Sequence, residues 1–255
     1  SIKTGGSRNH VFADLNLNLN KDDSYSSELS FKIQRTSNDT YFRIHNIDTA
    51  LVDSGNTNLE NEIRYSYNKE DMFLDINASV YEDLNQKKNS NKYEYILPNI
   101  AYGKTFFSEN LGTFDFKSNA FYNNYETNKH KSFLYNDLLW NPLGNITKKG
   151  FVNTIEGMLR NTNYETKKTK EYKDDNTVNE LSGVIAFKTI LPMKKESKNF
   201  SNLFSPNLML RYAPGHMRNL SGDTVALDYS NLYSLNKTSE IENGLSAILG
   251  FDFNV

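Results

Sequence analysis

The chain has 255 residues, a formal net charge of −2 and no cysteine. These values exclude thiol catalysis, cysteine-held zinc and disulfides within the chain, and they leave no electrostatic case for nucleic acid as a partner. Hydrophobic residues make up only 37%, which is low for a soluble core of this size, yet Tyr and Phe number 16 each, too many for a disordered chain. An outer-membrane β-barrel reconciles the two observations, because its lumen and loops are polar and only alternate strand residues face lipid.

Strict alternation of apolar and polar residues runs along most of the chain and predicts β-strands. The first two predicted strands are 11–20 and 28–35. Nine more are predicted at 59–68, 72–82, 93–103, 112–125, 132–140, 151–165, 179–191, 206–213 and 241–254. Residues 40–48 are compatible with a strand or an ordered loop. Many segments have about ten residues, which is the length that a tilted strand needs to cross a bilayer. The predicted fold is therefore all-β, an antiparallel outer-membrane β-barrel wall of eleven or twelve strands.

The connectors between these strands fall into two classes. Short turns are predicted at 21–24 and 68–71, and long polar loops at 82–92, 166–176 and 215–240. Barrels alternate in this way between periplasmic turns and extracellular loops. Residues 192–203 depart from the alternation, because they form a long predicted connector on the side where short turns are expected.

Catalytic and metal-binding patterns are absent from the sequence. The histidines are scattered at positions 10, 45, 130 and 216 without metal-ligand spacing, and no phosphate loop or nucleophile motif is present. The acidic pairs lie in predicted turns, where Asp is a common turn residue. We therefore expect no enzyme activity, cofactor or metal. Trp140 and the tyrosines near strand ends are typical of an interfacial aromatic girdle.

Several stretches resemble the LptD family of lipopolysaccharide-assembly outer-membrane proteins. The strand at 204–214 reads FSPNLMLRYAP and is followed by three short blocks similar to a family pattern, at 228–233, 236–238 and 242–244. Upstream, residues 6–13 and 34–42 look like the alphaproteobacterial form of the barrel, and residues 97–102 match another strand opening. Lys237 stands where the family commonly has Arg.

The resemblance implies a transport function without bond making or breaking. Such a translocon receives lipopolysaccharide from an LptA-like periplasmic bridge, through a periplasmic jelly roll, and releases it into the outer leaflet beside outer-membrane lipid. An LptE-like plug lipoprotein fills part of the lumen, and the first and last barrel strands form a seam that opens sideways. The implied location is the outer membrane of a Gram-negative bacterium.

The resemblance also implies a set of lumen residues near the transport path. These belong to the polar face of the first two predicted strands: Asp14, Asn16 and Asn18, followed by Ser30, Lys32 and Gln34. Lys32 is expected to pair with a phosphate. The alternative is that all of these side chains simply hydrate the lumen.

Residues 1–255 are expected to form one domain, roughly the first half of the family's barrel. The family's jelly roll and remaining strands would then lie outside this chain, and the isolated segment would expose two long strand edges, which promote aggregation. Two other interpretations remain open. One is a self-contained porin-like barrel for small solutes, and the other is a soluble adhesin or carbohydrate-binding β-sandwich, whose strands are usually shorter.

Overall fold

The computed structural model describes residues 9–20, 23–53, 55–87, 89–126, 129–169, 176–196, 200–214, 231–235 and 243–254. The strands in this part of the chain are β1 (His10–Asn18), β2 (Tyr25–Thr36), β3 (Asn58–Lys69), β4 (Met72–Asp83), β5 (Tyr93–Ser108), β6 (Gly112–Tyr125), β7 (Lys129–Asn141), β8 (Asn145–Ile146), β9 (Val152–Lys167), β10 (Val178–Ile190), β11 (Met193–Glu196), β12 (Ser201–Ala213) and β13 (Gly244–Asn254). Two short helices, α1 (Tyr41–His45) and α2 (Asn89–Lys92), complete the set. Neither of them, nor any other helix of the described residues, has the length and apolar character needed to cross a membrane.

The strands form one antiparallel sheet, which confirms the predicted fold class. Its order is β1-β2-β3-β4-β5-β6-β7-β9-β10-β12-β11, with β13 paired to β12 and β8 paired to β9. Each of the eleven predicted segments overlaps one of the long strands. The additional strands, β8 and β11, have only two and four residues, too short for alternation to reveal them.

Two segments contain secondary structure that the sequence did not predict. Residues 40–48, predicted as a strand or ordered loop, contain the helix α1. The Asn38 side-chain oxygen accepts a hydrogen bond from the Thr40 N–H at 3.2 Å, and Asn46 ends the helix in the left-handed conformation at φ 43°. A helix of five residues is too short to show a 3.6-residue period.

Residues 193–196 and 201–203, predicted as part of a long connector, lie in the paired strands β11 and β12. β10 and β11 pair with β12 in one continuous register, since Ile190 lies opposite Asn207 and Met193 lies opposite Phe204. The break between them falls at Pro192, which has no N–H for the ladder. Three successive residues of β11 are charged, so its sequence shows no alternation of apolar and polar residues.

Some sequence predictions lie outside the described residues. They are the resembling positions 6–8, 228–230, 236–238 and 242, position 216, position 241 of the last predicted strand, and parts of the predicted turn 21–24 and of the predicted connectors 82–92, 166–176, 192–203 and 215–240.

The chain divides into two compact units, and the first contains β1–β4. Its register aligns apolar side chains in rows across the four strands. One row is Leu15, Phe31, Ile63 and Ala78, and the next is Leu17, Leu29, Tyr65 and Ile76. Several of these side chains are exposed, which is the arrangement expected of strands with one lipid-facing side. We call this surface the apolar face and the opposite one the polar face.

A glycine in β5 of the first unit makes room for an aromatic ring. A Cβ added at Gly103 would lie 2.1 Å from Cε1 of Phe73, a ring that shares the polar face of β4 with Asp75 and Asn77 by alternation. We expect Gly103→Ala to lower the free energy of unfolding by about 1–3 kcal/mol, because the ring must leave its position. The midpoint of urea unfolding of the natural protein in detergent measures this.

Gly183 of β10 supplies the matched control for this substitution. An added Cβ there would meet its nearest atom, the Met158 carbonyl oxygen, at an ordinary 3.4 Å. Gly183→Ala should therefore leave the midpoint unchanged or raise it slightly. Equal losses at both glycines would show that the Phe73 contact is not responsible.

The second unit contains β12 and β13, whose eleven-pair register also separates two faces. Leu208 lies opposite Leu249, and Tyr212 lies opposite Leu245, on the apolar face. Asn207 lies opposite Gly250 on the polar face. The described part of the following long loop, residues 231–235, packs on this polar face, with Leu235 against Val184 and Ala213.

Candidate functional site

The polar face of β1–β4 contains every lumen residue expected from sequence. The register places Asp14 opposite Lys32, and Asn16 opposite Ser30. The face then continues across β3 and β4, because Lys32 lies opposite Glu62 and Glu62 opposite Ser79. The complete set of predicted residues on this face is Asp14, Asn16, Asn18, Ser30, Lys32 and Gln34. Alternation along a strand was sufficient to group them.

Lys32, expected to meet a phosphate, already has a carboxylate partner. Its Nζ forms an ion pair with Glu60, and the Tyr81 hydroxyl donates to the other Glu60 oxygen at 3.1 Å. A phosphate at this position would compete with Glu60 for the ammonium and would meet the negative charge of that carboxylate. The site therefore differs from an unengaged cationic pocket.

The side chain of Gln34 is buried and hydrogen-bonded to the neighbouring strand β3. The residue is only 6% exposed, and its Oε1 accepts from the Glu60 N–H at 2.9 Å, while its own N–H donates to Asn61 Oδ1 at 3.0 Å. The regular ladder between β2 and β3 stops at the pair Lys32–Glu62, and these two amide side chains continue the pairing. Contact between Gln34 and a ligand would require breaking these bonds.

A network on β3 and β4 was not singled out in the sequence. Glu62 accepts hydrogen bonds from the Ser79 hydroxyl at 3.1 Å and the Asn77 amide at 3.2 Å. Arg64 donates from Nε and Nη2 to Asp75 Oδ2 at 2.8 and 2.6 Å. The sequence feature that could have identified these residues is the same alternation, because Glu60, Glu62 and Arg64 occupy alternate positions of β3. Their pairing depends on the register, which the sequence did not supply.

This network borders a concavity of about 690 Å³ on the polar face. Its polar lining includes Asn16, Glu28, Ser30, Glu62, Arg64 and Asp75. Among the described polar-face residues of β1–β4, carboxylates outnumber the two cations, Lys32 and Arg64, and both cations bind carboxylates. Such a surface offers hydrogen bonds to hydroxyl and amide groups more readily than a site for phosphate. The described residues contain no cluster of three or more His, Asp or Glu suited to a metal ion.

One end of this face is covered by residues 37–53 and 55–57. Phe42 of α1 packs in a buried cluster with Val52, Leu59 and Leu84, and its ring stacks on Phe12, which lies on the polar face of β1, at 5.5 Å. The cluster is the largest buried apolar group among the described residues. It holds the loop segment against the sheet.

Lys92 of α2 joins the same loop to the sheet through two ion pairs. Its Nζ lies 2.7 Å from Asp39 and 2.8 Å from Glu82. Partial burial alone would lower the pKa of Lys92, but the hydrogen bonds to these two carboxylates outweigh it and raise the pKa above its usual value. The ammonium therefore stays charged and joins the loop to the end of β4.

The chain matches the model of a known protein family. A family model described as LptD, LPS transport system D, matches residues 7–247, which is most of the chain. No curated protein matches the chain.

Proposed function

This chain belongs to the LptD family, LPS transport system D, and on that premise we propose that it forms part of the wall of a translocon that releases lipopolysaccharide into the outer leaflet of the outer membrane. The family assigns the chain a role in lipopolysaccharide transport to the outer membrane. The release step, the orientation and the division of the barrel between this chain and other segments are parts of the proposal.

The separation of polar and apolar faces carries the proposal. Transport of an amphiphile requires a wet surface for its sugars and a lipid-facing surface beside it. The rows that begin at Asp14 and at Leu15 provide these surfaces on opposite sides of the same four strands. Because an exposed apolar face is typical of contact with lipid or with another protein, the polar face is the side available to a saccharide.

We assign Asn16 and its neighbours Asp14 and Asn18 to the transport path as hydrogen-bonding groups. All three are exposed in β1, so no rearrangement is needed for contact. Lys32 contributes through its ion pair with Glu60, and Gln34 supports the backbone. The alternative that the face only hydrates the lumen predicts no specific contact with the transported molecule.

The partners in this proposal follow from the family alone. They are lipopolysaccharide, an LptE-like plug lipoprotein, an LptA-like periplasmic bridge reached through a jelly roll, and outer-membrane lipid. No covalent step is involved, and the chain acts in the outer membrane of a Gram-negative bacterium.

The proposal is tested by site-specific photo-crosslinking in cells, using the natural protein. A photoreactive residue is placed at Asn16, at Lys32 or, on the apolar face of the same strand, at Leu17. We expect lipopolysaccharide adducts at Asn16 and at Lys32 that disappear when delivery from the periplasm is blocked, because both positions lie on the polar face. Leu17 should capture membrane lipid whether or not delivery continues.

Two outcomes would contradict the proposal. Lipid adducts at Leu17 with no lipopolysaccharide at Asn16 or Lys32 would indicate a generic barrel and favour the porin-like alternative. Adducts at Asn16 that persist without delivery would indicate a static lipid contact instead of transport.

A further inference from the structure

The connector between β7 and β9, in the second unit, folds into a small hairpin. We call residues 142–151 the turn hairpin. Its arm β8 pairs with the start of β9, and the Thr147 N–H donates to the Phe151 carbonyl oxygen at 2.9 Å. The Gly150 N–H donates to the Thr147 carbonyl oxygen at 2.9 Å, and Gly150 has φ 87°, as the last position of a three-residue hairpin loop requires. The turn hairpin therefore has an ordered tip.

Apolar side chains of the turn hairpin are exposed. Leu143 is 58% exposed and Ile146 is 71% exposed, and Phe151 is exposed as well. Ile155 of β9, which is also exposed, lies by alternation on the side of the strand opposite Glu156, whose carboxylate binds Lys188 on the polar side. The turn hairpin thus extends the apolar face beyond the long strands. An exposed apolar surface of this kind contacts lipid or another protein.

The tip of the turn hairpin consists of two adjacent lysines. Lys148 and Lys149 are both exposed, and neither forms an ion pair with any residue that the structure describes. Lys194, by contrast, binds Glu196 at 2.6 Å in the same unit. Two neighbouring ammonium groups beside an apolar surface attract an anionic lipid surface more strongly than a neutral one. The tip is therefore complementary to a lipid with a negatively charged headgroup.

An indole ring lies where the turn hairpin joins β7. Trp140 stacks on Phe114 with the ring centroids 6.3 Å apart, and its Nε1 donates to the Leu111 carbonyl oxygen at 2.8 Å. Aromatic rings of this kind lie at the level of the lipid headgroups in membrane barrels. The chain runs from Trp140 through the hairpin to its tip, so the two lysines lie beyond the ring, at the depth of the headgroup phosphates.

We propose that the turn hairpin binds anionic glycerophospholipids of the outer membrane. Leu143, Ile146 and Phe151 contact the acyl chains, and the ammonium groups of Lys148 and Lys149 bind the headgroup phosphate. Short turns of a barrel lie on the periplasmic side, so the lipid belongs to the leaflet that faces the periplasm. The inference rests on the membrane location of the wall, and it does not depend on the passage of lipopolysaccharide.

The test uses the natural protein in phosphatidylcholine vesicles that contain a minor fraction of labelled phosphatidylglycerol. A photoreactive residue replaces Ile146 or, as a control on the apolar face of β10, Leu181, which is 65% exposed. At Leu181 the captured phosphatidylglycerol should match its share of the vesicle lipid. At Ile146 its share should be at least about fivefold higher, since one lysine near an anionic lipid contributes about that factor. Equal shares at the two positions would refute the site.

Charge substitutions test the role of the tip. Lys148→Gln together with Lys149→Gln should remove the enrichment at Ile146. The matched control is Lys167→Gln together with Lys168→Gln, because these lysines are exposed at the other end of β9, and it should leave the enrichment unchanged. An enrichment that survives the first pair of substitutions, or that both pairs remove equally, would overturn the assignment to the tip lysines.

Two competitors identify the ligand class. Inorganic phosphate, added at constant ionic strength, should leave the enrichment at Ile146 unchanged, because it offers no acyl chain to the apolar side chains. Its loss would indicate a site for free phosphate and overturn the lipid assignment. Labelled lipopolysaccharide, placed in the vesicles instead of phosphatidylglycerol, should show no such enrichment at Ile146, and an equal or greater one would overturn the glycerophospholipid class. The vesicles with phosphatidylglycerol contain no lipopolysaccharide, so failure there would leave the transport function standing.

Discussion

Replacing Phe42 by alanine is expected to release residues 37–57 from the sheet. The ring is 2% exposed and packs on Leu59, which is fully buried. Loss of a buried phenylalanine ring costs about 3–5 kcal/mol, and this free energy is concentrated in one small cluster. Amide hydrogen exchange in residues 41–53 of the natural protein should therefore accelerate at least about a hundredfold, because exchange there reports local opening.

The neighbouring Arg43 provides the control for this prediction. It occupies the same helix, but its side chain is exposed. Arg43→Ala should leave the exchange rates of this loop nearly unchanged. If both substitutions accelerate exchange equally, the helix itself and not the Phe42 cluster holds the loop.

Undocking of this loop would also uncover the end of the polar face at β1. Phe12 would lose its stacking partner. The ion pair of Lys92 with Asp39 would break, so Lys92 would no longer join the loop to Glu82 of β4. We expect Phe42→Ala to leave the strand pairing of β1–β4 intact, since their register does not involve α1. Slow exchange in these strands alongside fast exchange in the loop would distinguish local release from global unfolding.

Removal of the Asp137 carboxylate is expected to destabilise the second unit strongly. Its two oxygens accept from Arg160 Nε at 2.6 Å and Nη2 at 2.7 Å, and only 14% and 15% of the two side chains are exposed. Asp137→Ala leaves a largely buried guanidinium without this acceptor, which costs about 3 kcal/mol. The midpoint of urea unfolding of the natural protein in detergent should fall accordingly.

An exposed ion pair in the same unit gives the comparison. Lys194 and Glu196 lie 2.6 Å apart, with 60% and 73% of their side chains exposed. Glu196→Ala should shift the midpoint little, because solvent screens such pairs. Asp137→Asn should fall between the two, since its amide oxygen still accepts one bond. Equal shifts for Asp137→Ala and Glu196→Ala would show that burial does not govern the strength of these pairs.

The strands and their two faces were determined by the sequence alone. Residues 11–20 and 28–35 alternate with a period of two, and alternation is a property of one strand that needs no partner. It therefore predicted correctly which face holds Asn16 and which holds Leu17. The fold class followed from the length of the predicted strands and from the low fraction of apolar residues. Both can be read from the sequence without knowing which strands pair.

The tertiary structure decided which charges meet and which surfaces are covered. Lys32 and Glu60 are far apart in sequence and form an ion pair only because of the register between β2 and β3. The sequence placed Lys32 among the candidate lumen residues, but it did not show that Glu60 binds the lysine ammonium. The helix α1 at 41–45, the strand β11 at 193–196 and the packing of residues 231–235 on the polar face of the second unit share this origin. Each is a short segment without a period of its own, and its conformation is set by the surface on which it packs.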